Sequence, residues 1–450
     1  MRFLLLLFLL PVCTLAQPTF PIRPSANGRY FVDKQNKPFL YQADTPWFLF
    51  LNLTTAEARA YMQTRQAQGF TTLQVQLTGF LGMKNRAGQL PFTDHDFARP
   101  NEPFFAHVDT VVREAAQLGL LLSIAPLWSG CCGEGWAGTD KTGKPKPLNA
   151  NGPDKARAFG RWLGNRYGNW PNLLWILGGD NDPYNAQAEI RQLALGLNET
   201  APQQLITYHA ASSHSSTDVW SNAGEPAEPW LGASMIYTYF RGFDKPWNRV
   251  QPDVYEVAYT EYRKSPARPF FLGESLYEGE HDNYGSALQV RKQAYWALLS
   301  GAAGHAYGST NWTCDSTWRQ GLQRPGGRSM QYVAELFRSM PWETLVPDIG
   351  QTFVAAGSGP YARNDFATTA ISADRRLAVT YLPSARPLTV RLTTLTGSRF
   401  ALSWFNPRTG QRHGMTPVGR LATLTVTPPP EEAGDADDWV LLVQAKPAGR

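Results

Sequence analysis

Two acidic residues stand where short apolar runs end. Leu173-Leu174-Trp175-Ile176-Leu177 leads into Gly178-Gly179-Asp180, and Pro269-Phe270-Phe271-Leu272-Gly273 leads into Glu274. A carboxylate that closes an apolar run needs either a partner or a task. Two carboxylates facing each other across a cleft can divide acid–base and nucleophilic work on a glycosidic bond. The glycine pair lets the backbone turn tightly and present Asp180 at a rim. Either acid alone is as well explained as a turn residue, Asp180 by capping the following helix; the chemical reading rests on the pair.

The elements that must position them form a regular beat. Apolar stretches at Pro38–Asp44, Phe70–Leu77, Leu120–Pro126, Leu173–Leu177, Gln204–His209, Ala233–Tyr237, Pro269–Gly273 and Ala302–Tyr307 read as strands covered on both faces. Helical stretches lie between most of them. The first opens at Thr54-Thr55-Ala56-Glu57 and closes at Gly69, and others follow at His107–Leu118, Asp154–Tyr167, Ala186–Asn198, Pro252–Lys264 and Ala287–Ser300. Eight strand–helix units over some three hundred residues predict a closed (β/α)8 TIM barrel, since an open doubly wound sheet would carry a phosphate-binding glycine loop after its first strand. Active sites of such barrels lie at the C-terminal ends of the strands. Strands four and seven sit on opposite sides of the ring, which is the geometry the acid pair requires.

Other polar and aromatic residues end strands in the same way. Asp44 and Trp47 follow the first strand, Gln76 lies on the second, Trp128 follows the third, Asn181 adjoins Asp180, and His209, Tyr237 and Tyr307 close the fifth, sixth and eighth. These are the candidate substrate-binding residues, with packing as the competing role, evenly balanced for His209 and Trp128. Glu278, Glu280, His281 and Asp282 crowd the loop after Glu274, but no His-rich cluster completes a coordination sphere, so a solvated acidic loop is expected. Neither a metal nor a cofactor is called for. An esterase would want a Ser in a G-x-S-x-G turn, and none occurs.

Several of these motifs carry a resemblance. Asp33-Lys34-Gln35-Asn36-Lys37-Pro38-Phe39, Asp44-Thr45-Pro46-Trp47, Gly178-Gly179-Asp180, Gly273-Glu274 and Gly304-His305-Ala306-Tyr307-Gly308 resemble the apiosidase-like glycoside hydrolases of family 140, over residues 24 to 345. That resemblance implies cleavage of glycosidic bonds in plant cell-wall pectin, with relatives acting on apiose linkages in rhamnogalacturonan-II, and it places the catalytic pair on Asp180 and Glu274. By analogy with related barrels, Asp180 is expected to be the general acid/base and Glu274 the nucleophile of a retaining mechanism. Residues 347 to 445 change rhythm, with short runs such as Leu377–Leu382, Phe400–Phe405 and Trp439–Val443 between turn residues. They predict an all-β sandwich, similar to one labelled a collagen-binding domain in such proteins.

Composition bounds the alternatives. The chain has 450 residues, 43% hydrophobic, and a net charge of only +5 without a basic run, so nucleic acid is excluded as a partner. Its 15 Trp, 18 Tyr and 23 Phe suit the faces of sugar rings as well as a core, and an oligosaccharide or polysaccharide is the expected partner. Met1-Arg2, the apolar run Phe3–Leu10 and Thr14-Leu15-Ala16 read as a signal peptide over residues 1 to 16, hence export to the periplasm or beyond. Cys13 follows the bulky Val12, which argues against a lipoprotein, and no later stretch supplies about 18 apolar residues for a membrane span. Cys131, Cys132 and Cys314 remain after the leader, and a disulfide from Cys314 to one of the adjacent pair is expected. Asn198-Glu199-Thr200 and Asn311-Trp312-Thr313 fit the N-glycosylation pattern, which has meaning only in a eukaryotic secretory pathway. The main rival is a non-catalytic carbohydrate-binding or matrix-adhesion protein on an inactive barrel, and retention of both acids argues against it.

Overall fold

The structure is a computed structural model describing residues 18–221, 227–239, 252–281, 284–430 and 437–446. The expected leader over residues 1 to 16, and Asp282, lie outside the described residues. Eight parallel strands form the central sheet: β1 (Tyr41–Asp44), β2 (Thr72–Gln76), β3 (Leu121–Ala125), β4 (Leu173–Gly178), β5 (Leu205–His209), β6 (Ser234–Thr238), β7 (Phe270–Ser275) and β8 (Gly304–Tyr307). Their order is β5-β4-β3-β2-β1-β8-β7-β6. At the remaining seam Gly232 N–H donates to Ile206 O at 2.8 Å and the Thr207 hydroxyl donates to Ala233 O at 2.9 Å, so backbone just before β6 closes the ring. The (β/α)8 barrel predicted from the strand beat is what the chain forms.

Among the described residues, seven long helices wrap it: α1 (Thr55–Ala67), α2 (Glu102–Gln117), α3 (Pro147–Tyr167), α4 (Gln187–Thr200), α5 (Val254–Tyr262), α6 (Ala287–Leu299) and α7 (Pro325–Arg338). Among the described residues, only a four-residue helix, Ser216–Val219, stands between β5 and β6. The start of α1 follows from its sequence. Thr54 accepts from Glu57 N–H while Glu57 reaches back to Thr54 N–H, a capping box that satisfies two otherwise orphaned donors. Below the barrel, a three-stranded antiparallel sheet of two-residue strands (Arg23–Pro24, Phe31–Val32, Pro38–Phe39) sets Phe31 against Tyr41 and Phe271. Tyr41 and Phe271 stack at 4.1 Å, and these rings fill the end of the ring opposite the strand C-termini.

Strand parity decides which side chains see the barrel interior. Tyr41 stacks inside on Phe271, so by alternation Ala43 also points in, while Gln42 and Asp44 point out toward the helices. The contacts agree: Gln42 Nε2 donates to Met330 O on α7, and Asp44 binds Arg65 on α1.

After α7 the chain builds the sandwich. Its larger sheet runs in the order β9 (Leu345–Pro347), β11 (Thr368–Ser372), β12 (Leu377–Leu382), β18 (Trp439–Ala445), β14 (Arg399–Phe405) and β15 (Arg412–Gly414), with β16 (Val418–Gly419) also on β14. The smaller sheet is β10 (Val354–Ala356), β13 (Leu388–Val390) and β17 (Leu424–Val426), all pairings antiparallel.

Helix α6 joins the two layers. Every residue from Gln289 to Leu299 is buried, the pattern of a helix covered all round rather than on one stripe. Tyr295 stacks on Tyr381 of β12 at 4.6 Å, and Trp296 Nε1 donates to Phe366 O. Arg291 makes a two-pronged bond to Asp438, Nε at 3.0 Å and Nη2 at 2.9 Å, with both side chains buried and the Tyr381 hydroxyl donating to the same carboxylate. Asp438→Ala leaves the Arg291 guanidinium buried without its counter-charge and is expected to cost about 3–5 kcal/mol. Calorimetric melting checks this, and a loss below about 1 kcal/mol would mean that the pair contributes little to docking.

Candidate active site

Three successive residues with positive φ end β4: Gly178 at 83°, Gly179 at 127° and Asp180 at 54°. A Cβ on Gly179 would lie 2.3 Å from the Trp128 indole, so only glycine fits there. Asp180 occupies the left-handed region that a non-glycine residue enters at a cost of about 1 kcal/mol or more, and its surroundings enforce it. On one side Gly179 N–H donates to His209 O at 3.0 Å; on the other, Ser129 N–H and Gly130 N–H donate to Gly178 O and Gly179 O at 2.9 and 3.1 Å. The turn is clamped between β5 and the loop that follows β3.

Glu274 arrives by a different device. The register of β7 against β6 shifts between Leu272 and Glu274, a bulge that re-aims the side chain after it. Gly273 sits in that bulge, and a Cβ there would meet the Met235 side chain at 2.1 Å. Gln74 Nε2 on β2 donates to Gly273 O at 2.9 Å across the barrel, fixing the bulge from inside.

The two acids and one imidazole then meet. One oxygen of Asp180, one of Glu274 and one ring nitrogen of His209 all lie within 4.8 Å of one another. His209 Nε2 donates to Glu274 Oε2 at 2.5 Å, with both side chains buried. Its Nδ1 faces the Asp180 N–H at 3.2 Å and the Ala210 carbonyl at 3.0 Å, so this nitrogen has an acceptor for its proton when charged and a donor to accept from when neutral. Burial works against the charged imidazole, but the hydrogen bond to Glu274 and the negative charges of Glu274 and Asp180 outweigh it, and the His209 pKa is held above its usual value. Asp180 is pushed up to about 7, first by desolvation and then by the nearby charge of Glu274, against the opposing pull of His209 and a hydrogen bond from Tyr237.

Around this cluster the aromatic candidates converge. The His209 ring lies 4.7 Å from Tyr237, 5.1 Å from Trp128 and 6.4 Å from Trp47, centroid to centroid. Trp128 Nε1 and Gln76 Oε1 are buried without a hydrogen-bond partner, leaving a donor and an acceptor for a substrate hydroxyl. Asn181 acts on the loop instead: its Nδ2 donates to Gly130 O at 3.3 Å, and its carbonyl accepts from the Tyr208 hydroxyl.

Four further expectations need correction. Asp44 does not face a substrate; its carboxylate takes Arg65 Nε at 2.7 Å and the Tyr61 hydroxyl at 2.5 Å, because its parity points it at α1. Tyr307, beside it in register on β8, donates to Glu278 at 2.5 Å. Glu278 is no solvated loop residue: it is buried and accepts from Gly326 N–H and Gly327 N–H at the N-terminus of α7, where a carboxylate is favoured. Cys131 and Cys132 are bonded to each other, and Cys314 is a buried free thiol.

Two residues at the site were not anticipated. The Tyr277 hydroxyl accepts from Trp47 Nε1 at 2.6 Å and hydrogen-bonds Glu274, and Glu134 adds a further negative charge near Asp180. Both lie in loops, where periodicity carries no signal; three residues of spacing from Glu274 is the only hint for Tyr277. Among the described residues, two groups of ligand-type atoms are close enough for a metal, Cys131/Cys132/Glu134 and Asp180/His209/Glu274. In the first the sulfurs are bonded to one another, and in the second His209 Nε2 is spent on Glu274.

The raised Asp180 pKa has a stability consequence. The folded state holds this proton from the ordinary carboxylate range up to about pH 7, whereas the unfolded chain has lost it. Stability therefore falls as pH rises through that window, because the acid must be ionised beside Glu274 in a desolvated site. Asp180→Asn is expected to raise the melting temperature more at pH 8 than at pH 4; an equal shift at both would refute the coupling.

Comparison with known proteins agrees with this architecture. Residues 25–344 match the family described as "Apiosidase-like, catalytic domain", and residues 346–444 match the "Putative collagen-binding domain of a collagenase". A solved structure described only as a glycoside hydrolase shares 24% identity, covering 94% of this chain and 96% of its own with a TM-score of 0.80. A crystal structure described as a glycoside hydrolase family 5 protein from Bacteroides vulgatus ATCC 8482 gives 23% identity, 94% and 93% coverage and the same TM-score. At these identities the likeness is one of fold, and it takes in barrel and sandwich together. No curated protein matches. With a family match that spans most of the chain and the rim acids on strands four and seven of its barrel, this chain belongs to the apiosidase-like family.

Proposed function

We propose that this protein is an exported glycoside hydrolase that cleaves a linkage in pectic polysaccharide with retention of configuration, Asp180 serving as general acid/base and Glu274 as nucleophile. The observation that carries the reading is the close approach of the acids, one oxygen of each lying within 4.8 Å of the other. Retaining enzymes hold their carboxyl groups about 5–5.5 Å apart, whereas inverting ones leave room for a water at about 6.5–9.5 Å.

The charges support the same division of labour. Asp180 keeps its proton up to about pH 7 and can deliver it to the departing oxygen. Glu274, oriented by His209 Nε2 and the Tyr277 hydroxyl, attacks the anomeric carbon. Once Glu274 is esterified its negative charge is gone, so one of the causes holding the Asp180 proton disappears. Asp180, now ionised, can then take a proton from the incoming water. A barrel that only binds carbohydrate has no use for such a pair. Similarity to the apiosidase-like family supports a pectic substrate, and the apolar N-terminal run supports export.

Release of sugar from pectic oligosaccharides and aryl glycosides is the test. Asp180→Asn and Glu274→Gln are each expected to lower kcat/KM by at least about 10³-fold, with proton NMR of the first product formed reporting the retained anomer. Undiminished turnover in either variant sinks the assignment of that residue, and an inverted first product sinks the mechanism.

A further inference from the structure

The loop after β3 carries the adjacent pair Cys131 and Cys132, joined to each other and exposed. This loop lies along the turn that presents Asp180. Ser129 N–H and Gly130 N–H bond the carbonyls of Gly178 and Gly179, and Asn181 Nδ2 returns a bond to Gly130 O. Just beyond, the two cysteine amides converge on one carboxylate: Cys131 N–H donates to Glu134 Oε1 at 3.1 Å and Cys132 N–H to Glu134 Oε2 at 2.9 Å. The far end of the loop is tied down separately, by Lys146 Nζ on Gly133 O at 2.9 Å and Trp136 N–H on Trp128 O at 2.8 Å. Between these ties and the Asn181–Asn185 segment lies a polar cavity of about 210 Å³, which Cys131 also lines.

A bond between neighbouring cysteines closes a ring with the intervening peptide and removes rotational freedom from both residues. Here those residues supply both amides that hold Glu134. We propose that the Cys131–Cys132 disulfide is a positioning element for the reaction at Asp180: closed, it fixes Glu134 and the loop that clamps the Gly178–Asp180 turn, and opened, it releases both. This rests on the reading of Asp180 as acid/base. Opening needs a dithiol. Its thiolate attacks one cysteine sulfur, the S–S bond breaks, and the second thiol resolves the mixed disulfide; two electrons and two protons pass to the cysteines, and the reagent leaves as a cyclic disulfide.

The electrostatic consequence has a sign. The groups acting on Asp180 are Glu274 on β7, His209 on β5, Tyr237 on β6 with Tyr239 just after it, and Glu134 on this loop. Among them Glu134 is the one whose position depends on the cysteine amides, and its negative charge favours the protonated form of Asp180. Releasing it lowers the pH at which Asp180 ionises.

The experiment compares the full-length oxidised protein, the same protein after dithiothreitol, the double variant Cys131→Ser/Cys132→Ser, and Cys314→Ser as control for the buried thiol. Reduced protein and double variant are expected to share a fall of about tenfold in kcat/KM, carried mainly by kcat, with the alkaline limb of the pH profile moved to lower pH. Glu134→Gln should move the same limb with its disulfide intact, a shift that simple loosening of the fold does not produce. Equal kcat/KM and superimposable pH profiles in oxidised and reduced protein overturn the inference while leaving the proposed activity standing. If the oxidised protein hydrolyses no glycoside, the activity fails, and amide hydrogen exchange decides the loop question: faster exchange at Ser129 and Gly130 on reduction supports it, and unchanged exchange overturns it.

Discussion

The site depends on one hydrogen bond, His209 Nε2 to Glu274 Oε2 at 2.5 Å, made across the mouth of the barrel between β5 and β7. Each partner is buried, so neither would be stable alone: a lone carboxylate or imidazolium withdrawn from water costs several kcal/mol. The bond requires the β7 bulge that turns Glu274 inward, and Gln74 to hold that bulge. It also requires the β4 turn, whose backbone leans on His209 through its carbonyl and ring. Burial at this site and the charge of the Glu274 it positions keep a proton on Asp180, against the opposing pull of His209. Geometry and protonation state are thus one arrangement rather than two.

How much of this was legible in the sequence depends on the scale of the signal. The barrel was readable because strands covered on both faces are apolar throughout, so each of the eight stands out between helical stretches. The acid pair was readable because Gly-Gly-Asp and Gly-Glu mark the places where an apolar run meets a rim. Trp47, Trp128, His209 and Tyr237 came with it by the same rule.

What failed did so for identifiable reasons. Asp44 and Tyr307 obey the strand-end rule but sit on the outward parity of β1 and β8, and parity cannot be fixed when both faces are apolar. Glu278 looked like surface because its neighbours are acidic; its burial depends on the N-terminus of α7, nearly fifty residues away. The Cys131–Cys132 bond was passed over for a long-range partner, and the enclosed position of Cys314 beside Asp44 and Arg65 is a tertiary fact.

Helix α6 follows the strand that carries Glu274, and it is covered on one side by the barrel and on the other by the sandwich. A catalytic unit cut free before β9 would turn Tyr295, Trp296 and an unpaired Arg291 out to water. The C-terminal domain is therefore not an appendage that could be exchanged for a different domain without redesign. The two units share one core across α6, so a change in the tail is felt in the wall of the barrel it covers.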